Sequence, residues 1–106
     1  MIDKKADSII RELSAELKAL YPDFRGIYLF GSHARGEARE DSDIDIAILF
    51  DRAIQRNFAD DIMNLIYDYE LKYDVFLDSF PFKYKDIMEP ITYLRFNVHM
   101  EGILYG

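Results

Sequence analysis

Two short stretches decide the fold: Leu29-Phe30-Gly31-Ser32-His33-Ala34-Arg35-Gly36, and Asp43-Ile44-Asp45-Ile46-Ala47-Ile48-Leu49-Phe50. The first ends an apolar run, Ile27 to Phe30, that reads as a buried strand interrupted by Gly31-Ser32. The second alternates Asp43 and Asp45 with Ile44, Ile46 and Ile48, the period of two that marks a strand. Residues i and i+2 of a strand face the same way, roughly 6.5–7 Å apart, so Asp43 and Asp45 aim two carboxylates into one pocket. Like charges so placed repel unless a cation lies between them or one takes up a proton. Hard oxygen ligands of this kind suit Mg²⁺, which binds one or two carboxylates together with phosphate oxygens.

The Gly31-Ser32 pair suits the other half of such a pocket. Glycine lets the backbone come close to a ligand. A serine hydroxyl and the free N–H groups of a helix start suit a phosphate. Arg35, one turn on, is placed to add a cation for a departing pyrophosphate, in preference to a surface ion pair.

Working outward, Ile2, Ala6, Ile9, Ile10, Leu13, Leu17 and Leu20 recur at helical spacing, and Tyr21-Pro22-Asp23 ends that helix. His33 to Arg35 begins a short helix before Gly36, and residues 37–42 form a polar loop in which Glu37, Glu40 and Asp41 are solvated. Ile54, Phe58, Ile62, Leu65, Ile66 and Tyr69 mark a second long amphipathic helix. A third strand is expected over residues 72–77, then a turn around Ser79-Phe80-Pro81. The remainder is weakly helical, interrupted by Pro90 and stopped by Gly102. Helices flanking a small sheet give an α/β or α+β class in a single domain over residues 1–106.

Bulk properties bound the function. Twenty acidic residues against 13 basic give a net charge of −7, with no basic stripe for a long nucleic acid. No apolar run approaches the ~20 residues needed to span a bilayer, and the first residues carry no apolar leader. Cysteine is absent, which excludes disulfides and thiolate metal sites. The expected location is cytoplasmic.

A third carboxylate is expected where a metal pair needs another ligand or a base. Asp74 lies in the apolar run from Tyr73 to Leu77, where a charge is costly unless paired. If that strand neighbours the Asp43/Asp45 strand, Asp74 completes a triad. Asp78, four residues on, competes for the role but falls at the expected turn. His33 is read as a loop residue without a role, and His99, beside Val98 and Met100, as packing. The aromatics Tyr67, Tyr69, Tyr73, Phe76, Phe80, Phe82 and Tyr84 are mostly core, with some surplus for a docking surface.

Gly31-Ser32, ten residues, then Asp43-Ile44-Asp45 resembles the signature of the nucleotidyltransferase superfamily, and Leu29 to Gly36 with Asp41 to Asp45 resembles its bacterial minimal branch. The segment from Leu94 to Tyr105 is also similar to that branch. Four fixed residues at this spacing arise by chance in roughly one chain in a thousand at average composition. The resemblance implies a mixed sheet carrying Asp43, Asp45 and Asp74, with Gly31, Ser32 and Arg35 at the nucleotide. It implies in-line attack of a hydroxyl on an α-phosphate, with two Mg²⁺ ions held by Asp43, Asp45 and Asp74, and Asp74 as base. Larger relatives append a helical domain that this length leaves no room for, so the acceptor site is expected to be completed by another chain. Members of the branch commonly pair with helical HEPN toxins and act as antitoxins that add AMP from ATP to a tyrosine of the partner. The resemblance thus implies a protein adenylyltransferase antitoxin in a homo- or hetero-oligomer. The alternatives are a small-molecule nucleotidyltransferase of the aminoglycoside-modifying kind and a non-catalytic, toxin-binding antitoxin.

Overall fold

The computed structural model describes residues 4–39, 42–89 and 93–106. The elements run α1 (Lys4–Leu20), β1 (Phe24–Phe30), α2 (Gly31–Arg35), β2 (Ile44–Phe50), α3 (Arg56–Tyr73), β3 (Leu77–Lys83), α4 (Tyr84–Met88), α5 (Tyr93–Glu101) and β4 (Ile103–Tyr105). The four strands form one mixed sheet in the order β3-β2-β1-β4. Strand β1 is antiparallel to both β2 and β4, whereas β3 runs parallel to β2. A parallel neighbour needs a crossover, and α3 supplies it. The expected mixed sheet with flanking helices is what forms. The readings at Ile2, Glu40, Asp41 and Pro90 lie outside the described residues.

Helices cover both faces. On one, α1 and α3 bury Ile9, Ile10, Leu13, Leu17, Ile62 and Ile66 against Ile27, Leu29, Ile44, Ile46, Ile48 and Leu77. On the other, Phe30, Ala47 and Leu49 pack with Ile87 of α4 and Val98 of α5. Every residue of β2 from Ile46 to Phe50 is therefore buried, and the polar-apolar alternation of Asp43 to Ile46 gives way to a continuous apolar run. Only Asp45, near the start of the strand, is a charge on the second face. Each fully buried Ile or Leu here contributes about 1.5–3 kcal/mol.

The boundaries after residue 70 differ from the sequence reading. Helix α3 continues through Lys72 and Tyr73, and β3 starts only at Leu77. Tyr69 and Tyr73 donate their phenolic protons to Glu16 and Glu12 of α1, and Lys72 pairs with Glu12 at 2.7 Å. These cross-helix bonds keep residues 69–73 helical. The helix ends at Asp74, whose φ of 51° and ψ of 54° are left-handed and whose N–H donates to the Glu70 carbonyl. Aspartate accepts that conformation more readily than most residues. The expected turn at Ser79-Phe80-Pro81 lies inside β3, where an edge strand tolerates a proline. Strand β4, only three residues long, carried no sequence signal of its own.

Strand β4 docks on β1 through a narrow gap. Between Phe24 and Gly26 the pairing with β2 slips by one residue, and Gly26 takes a φ of +140°. A Cβ there would stand 2.6 Å from the Tyr105 carbonyl oxygen. Gly26→Ala should therefore push β4 off the sheet and cost about 1–3 kcal/mol. Urea unfolding would show this as a lower midpoint; an unchanged midpoint would mean that β4 is not held at this distance.

Candidate active site

The site is built at the end of β1 and the starts of β2 and β3. Antiparallel pairing sets Phe30, the last residue of β1, opposite Asp45. Parallel pairing sets Asp78 of β3 beside Asp45 on the other side. Alternation turns Asp45 and Asp78 to the second face, near the starts of their strands. Asp43 precedes β2 by one residue and is exposed, with the following amide, Ile44 N–H, donating to the Phe76 carbonyl at 2.9 Å. A cleft of about 200 Å³ runs along this edge, lined by Asp43, Glu70, Phe76, Leu77 and Asp78.

The carboxylate that β3 sets beside Asp45 is Asp78. Asp74, expected on a strand, caps α3 instead and does not line the cleft. The apolar run from Tyr73 that suggested a strand begins in the last turn of a helix and its exit, and β3 starts only at Leu77.

Asp45 is the electrostatic centre. Burial, then repulsion by and hydrogen bonding with Asp78, then repulsion by Asp43, push its carboxyl up to about 6, with His33 opposing. Carboxylates crowded around Asp45 in this way favour a positive charge among them. Among the described residues no three Asp, Glu or His side chains converge tightly enough to hold an ion by themselves. The donor set instead fits Mg²⁺ held by one or two carboxylates and completed by phosphate oxygens.

The opposite wall is backbone. Gly31 opens α2 with a φ of +71°, and a Cβ on it would fall 2.2 Å from the Asp45 Oδ2. Both its conformation and its lack of a side chain are thus required to seat that carboxyl. Ser32 follows in the first turn, its carbonyl accepting from Glu37 N–H at 2.9 Å.

Three further residues lie in surroundings other than those expected. Arg35, read as a phosphate contact, is ion-paired to Glu37 at 3.1 Å and to Glu101 of α5 at 3.4 Å, the surface alternative. Those bonds to Glu37, and the pairing with Glu101, raise its guanidinium pKa further. His33, read as a loop residue, is only 4% exposed and donates from Nε2 to the Ser42 carbonyl at 3.2 Å. A histidine in a polar stretch gives no apolar period to betray its burial, so the sequence carried no signal for it. His99, expected in packing, is exposed, while its neighbour Val98 is fully buried.

Gly31→Ala should displace Asp45 and strain α2, lowering stability by about 1–3 kcal/mol and any activity of the site by about 100-fold or more. Near-normal activity in a folded variant would show that Asp45 need not lie against Gly31.

Comparison with known proteins follows this geometry. The family description "Nucleotidyltransferase domain" matches residues 10–105. A protein of Methanocaldococcus jannaschii, provisionally named protein adenylyltransferase MJ0141, is 32% identical over 76 residues, spanning 71% of this chain and 77% of that protein. A toxin–antitoxin structure with AMP-PNP has a chain that superposes with a TM-score of 0.61 at 24% identity, covering 96% of this chain and 71% of that one. A tri-AMPylated HEPN toxin of Shewanella oneidensis in complex with its MNT antitoxin gives 0.61 at 22% identity, over 95% and 72%. At these identities the structures speak for the fold, and the family match spans nearly the whole chain. The chain belongs to the nucleotidyltransferase domain family.

Proposed function

We propose that this nucleotidyltransferase transfers AMP from ATP to a hydroxyl, a tyrosine phenol by preference, of a HEPN-type toxin partner, and so acts as its antitoxin. The observation that supports the reading is the placement of Asp43, Asp45 and Asp78 on one open edge, with the Gly31 backbone against Asp45. The name of the M. jannaschii relative and the AMPylated toxin found with a protein of the same fold supply the acceptor class.

Asp43 and Asp45 would hold Mg²⁺, which when bound supplies charge neutralisation for the phosphates and the departing pyrophosphate. The rest falls to the chain itself. Gly31 and Ser32, opening a helix whose first N–H groups have no partner within it, take the triphosphate. Asp78, exposed at the cleft, accepts the proton of the acceptor hydroxyl. The freed oxygen bonds the α-phosphorus as the bond to the β-phosphate oxygen breaks in line, and pyrophosphate leaves. Arg35 reaches a phosphate only by giving up Glu37 and Glu101.

Intact-mass spectrometry of the HEPN partner, incubated with this protein, ATP and Mg²⁺, tests the reading. One or more AMP units should be added by the wild type. Asp78→Asn should slow the addition by about 100- to 10,000-fold. Asp74→Asn, which keeps a residue tolerant of the left-handed cap, should stay within about threefold of wild type. Equal loss in both variants would put the base elsewhere. Labelling of small hydroxyl compounds alone would favour the small-molecule alternative, and binding without any mass gain the non-catalytic one.

The raised Asp45 pKa sets a pH dependence in metal-free protein. The folded state holds this proton more tightly than the unfolded chain, whose carboxyl titrates near 3.8. The stability it contributes is therefore full below about pH 4 and is lost as pH rises towards about 6. Asp45→Asn should flatten that stretch of the urea midpoint–pH curve and exceed wild type in stability at pH 7–8. Mg²⁺ should raise the wild-type midpoint there and leave the variant unmoved; a parallel response of the two proteins would remove Asp45 from the cation site.

A further inference from the structure

The peptide bond that precedes Asp43 is held by the side chain of His33. Asp43 lies outside the β2 ladder, which starts at Ile44, so strand pairing does not fix it. On its C-terminal side the chain is anchored by Ile44 N–H bonding the Phe76 carbonyl. On its N-terminal side the Ser42 carbonyl accepts from His33 Nε2 at 3.2 Å. A carbonyl oxygen only accepts, so that nitrogen carries the hydrogen. Because the peptide group is planar, fixing the Ser42 carbonyl also fixes the Asp43 nitrogen and Cα.

His33 is suited to this by its surroundings. It is 96% buried, as 4% relative exposure implies, in a helix of five residues that also carries Gly31 and Ser32. Its other ring nitrogen, Nδ1, is buried without a hydrogen-bond partner. Burying an unsatisfied nitrogen is unfavourable, and an apolar side chain of similar size would avoid the cost. An imidazole kept there regardless indicates a function for the nitrogen that is bonded.

We infer that His33 is a positioning residue: it ties the nucleotide-binding turn at Gly31-Ser32 to the Ser42–Asp43 peptide, so that Asp43 is held at the cation site. This rests on the reading of Asp43 and Asp45 as the Mg²⁺-binding pair. Partners behind a metal ligand typically govern 10- to 100-fold in metal affinity.

The test uses Mn²⁺ as the paramagnetic probe and reads its dissociation constant by electron spin resonance of the free ion, without nucleotide or acceptor. His33→Gln keeps an Nε2–H donor at nearly the same reach; His33→Leu fills the space without one. Wild type and His33→Gln should bind Mn²⁺ within about threefold of each other, and His33→Leu about 10-fold or more weakly. Hydrogen exchange at the Ile44 amide should quicken in His33→Leu, and not in His33→Gln. Equal Mn²⁺ binding by all three proteins, or equal weakening in both variants, would overturn the role of the Ser42 bond while leaving the metal pair intact. Failure of the wild type to bind Mn²⁺ would overturn the metal reading itself and this inference with it. Should His33→Leu not fold, His33→Asn, whose amide is too short to reach Ser42, takes its place with the same expected loss.

Discussion

The contact between the Asp45 carboxyl and the Gly31 backbone is the constraint on which the site depends. It exists because antiparallel pairing brings the last residue of β1 opposite Asp45, so the chain leaves the sheet beside that carboxyl. Any side chain at residue 31 would enter the space the oxygen occupies. The Gly31-Ser32 turn and the strand that carries Asp45 are thus locked together by one exclusion of volume. The ten residues between Ser32 and Asp43 are the length of chain that this closure leaves to be looped out.

Electrostatics sharpen the same arrangement. Burial of Asp45 beside Asp78, with Asp43 at the strand start, lets the folded protein hold, up to about pH 6, a proton that the unfolded chain releases near 3.8. The fold supplies the energy for that crowding through the apolar contacts of β2, which is covered on both faces. A cation entering among these carboxylates would relieve their repulsion.

Much of this was legible in the residues. The fold class, the two long helices and the first two strands followed from periodicity, and the spacing of Gly31 and Asp45 pointed to the two segments that the fold brings together. Asp74 was misplaced because the run from Tyr73 to Leu77 has a strand's composition, while the interactions that keep Tyr69 to Tyr73 helical come from Glu12 and Glu16, nearly sixty residues away. No local pattern reports a partner at that separation. The ion pairs of Arg35 were hidden for a similar reason: Glu101, one of its two acidic partners, comes from α5 near the far end of the chain. His33 escaped notice because its burial depends on how a five-residue helix sits against the sheet, and its bond runs to a backbone oxygen, which has no letter in a sequence.

Strand β3 also governs how the sheet meets other chains. It forms one margin of the sheet, with Pro81 at its middle, Asp78 near its start and Lys83 at its end. A margin interrupted by an imino acid and flanked by charge is a poor template for another strand. Self-association by sheet extension is therefore discouraged on the side where the carboxylates lie. A visiting protein is steered to meet the open end of the sheet with a protruding side chain rather than to align its backbone along the margin.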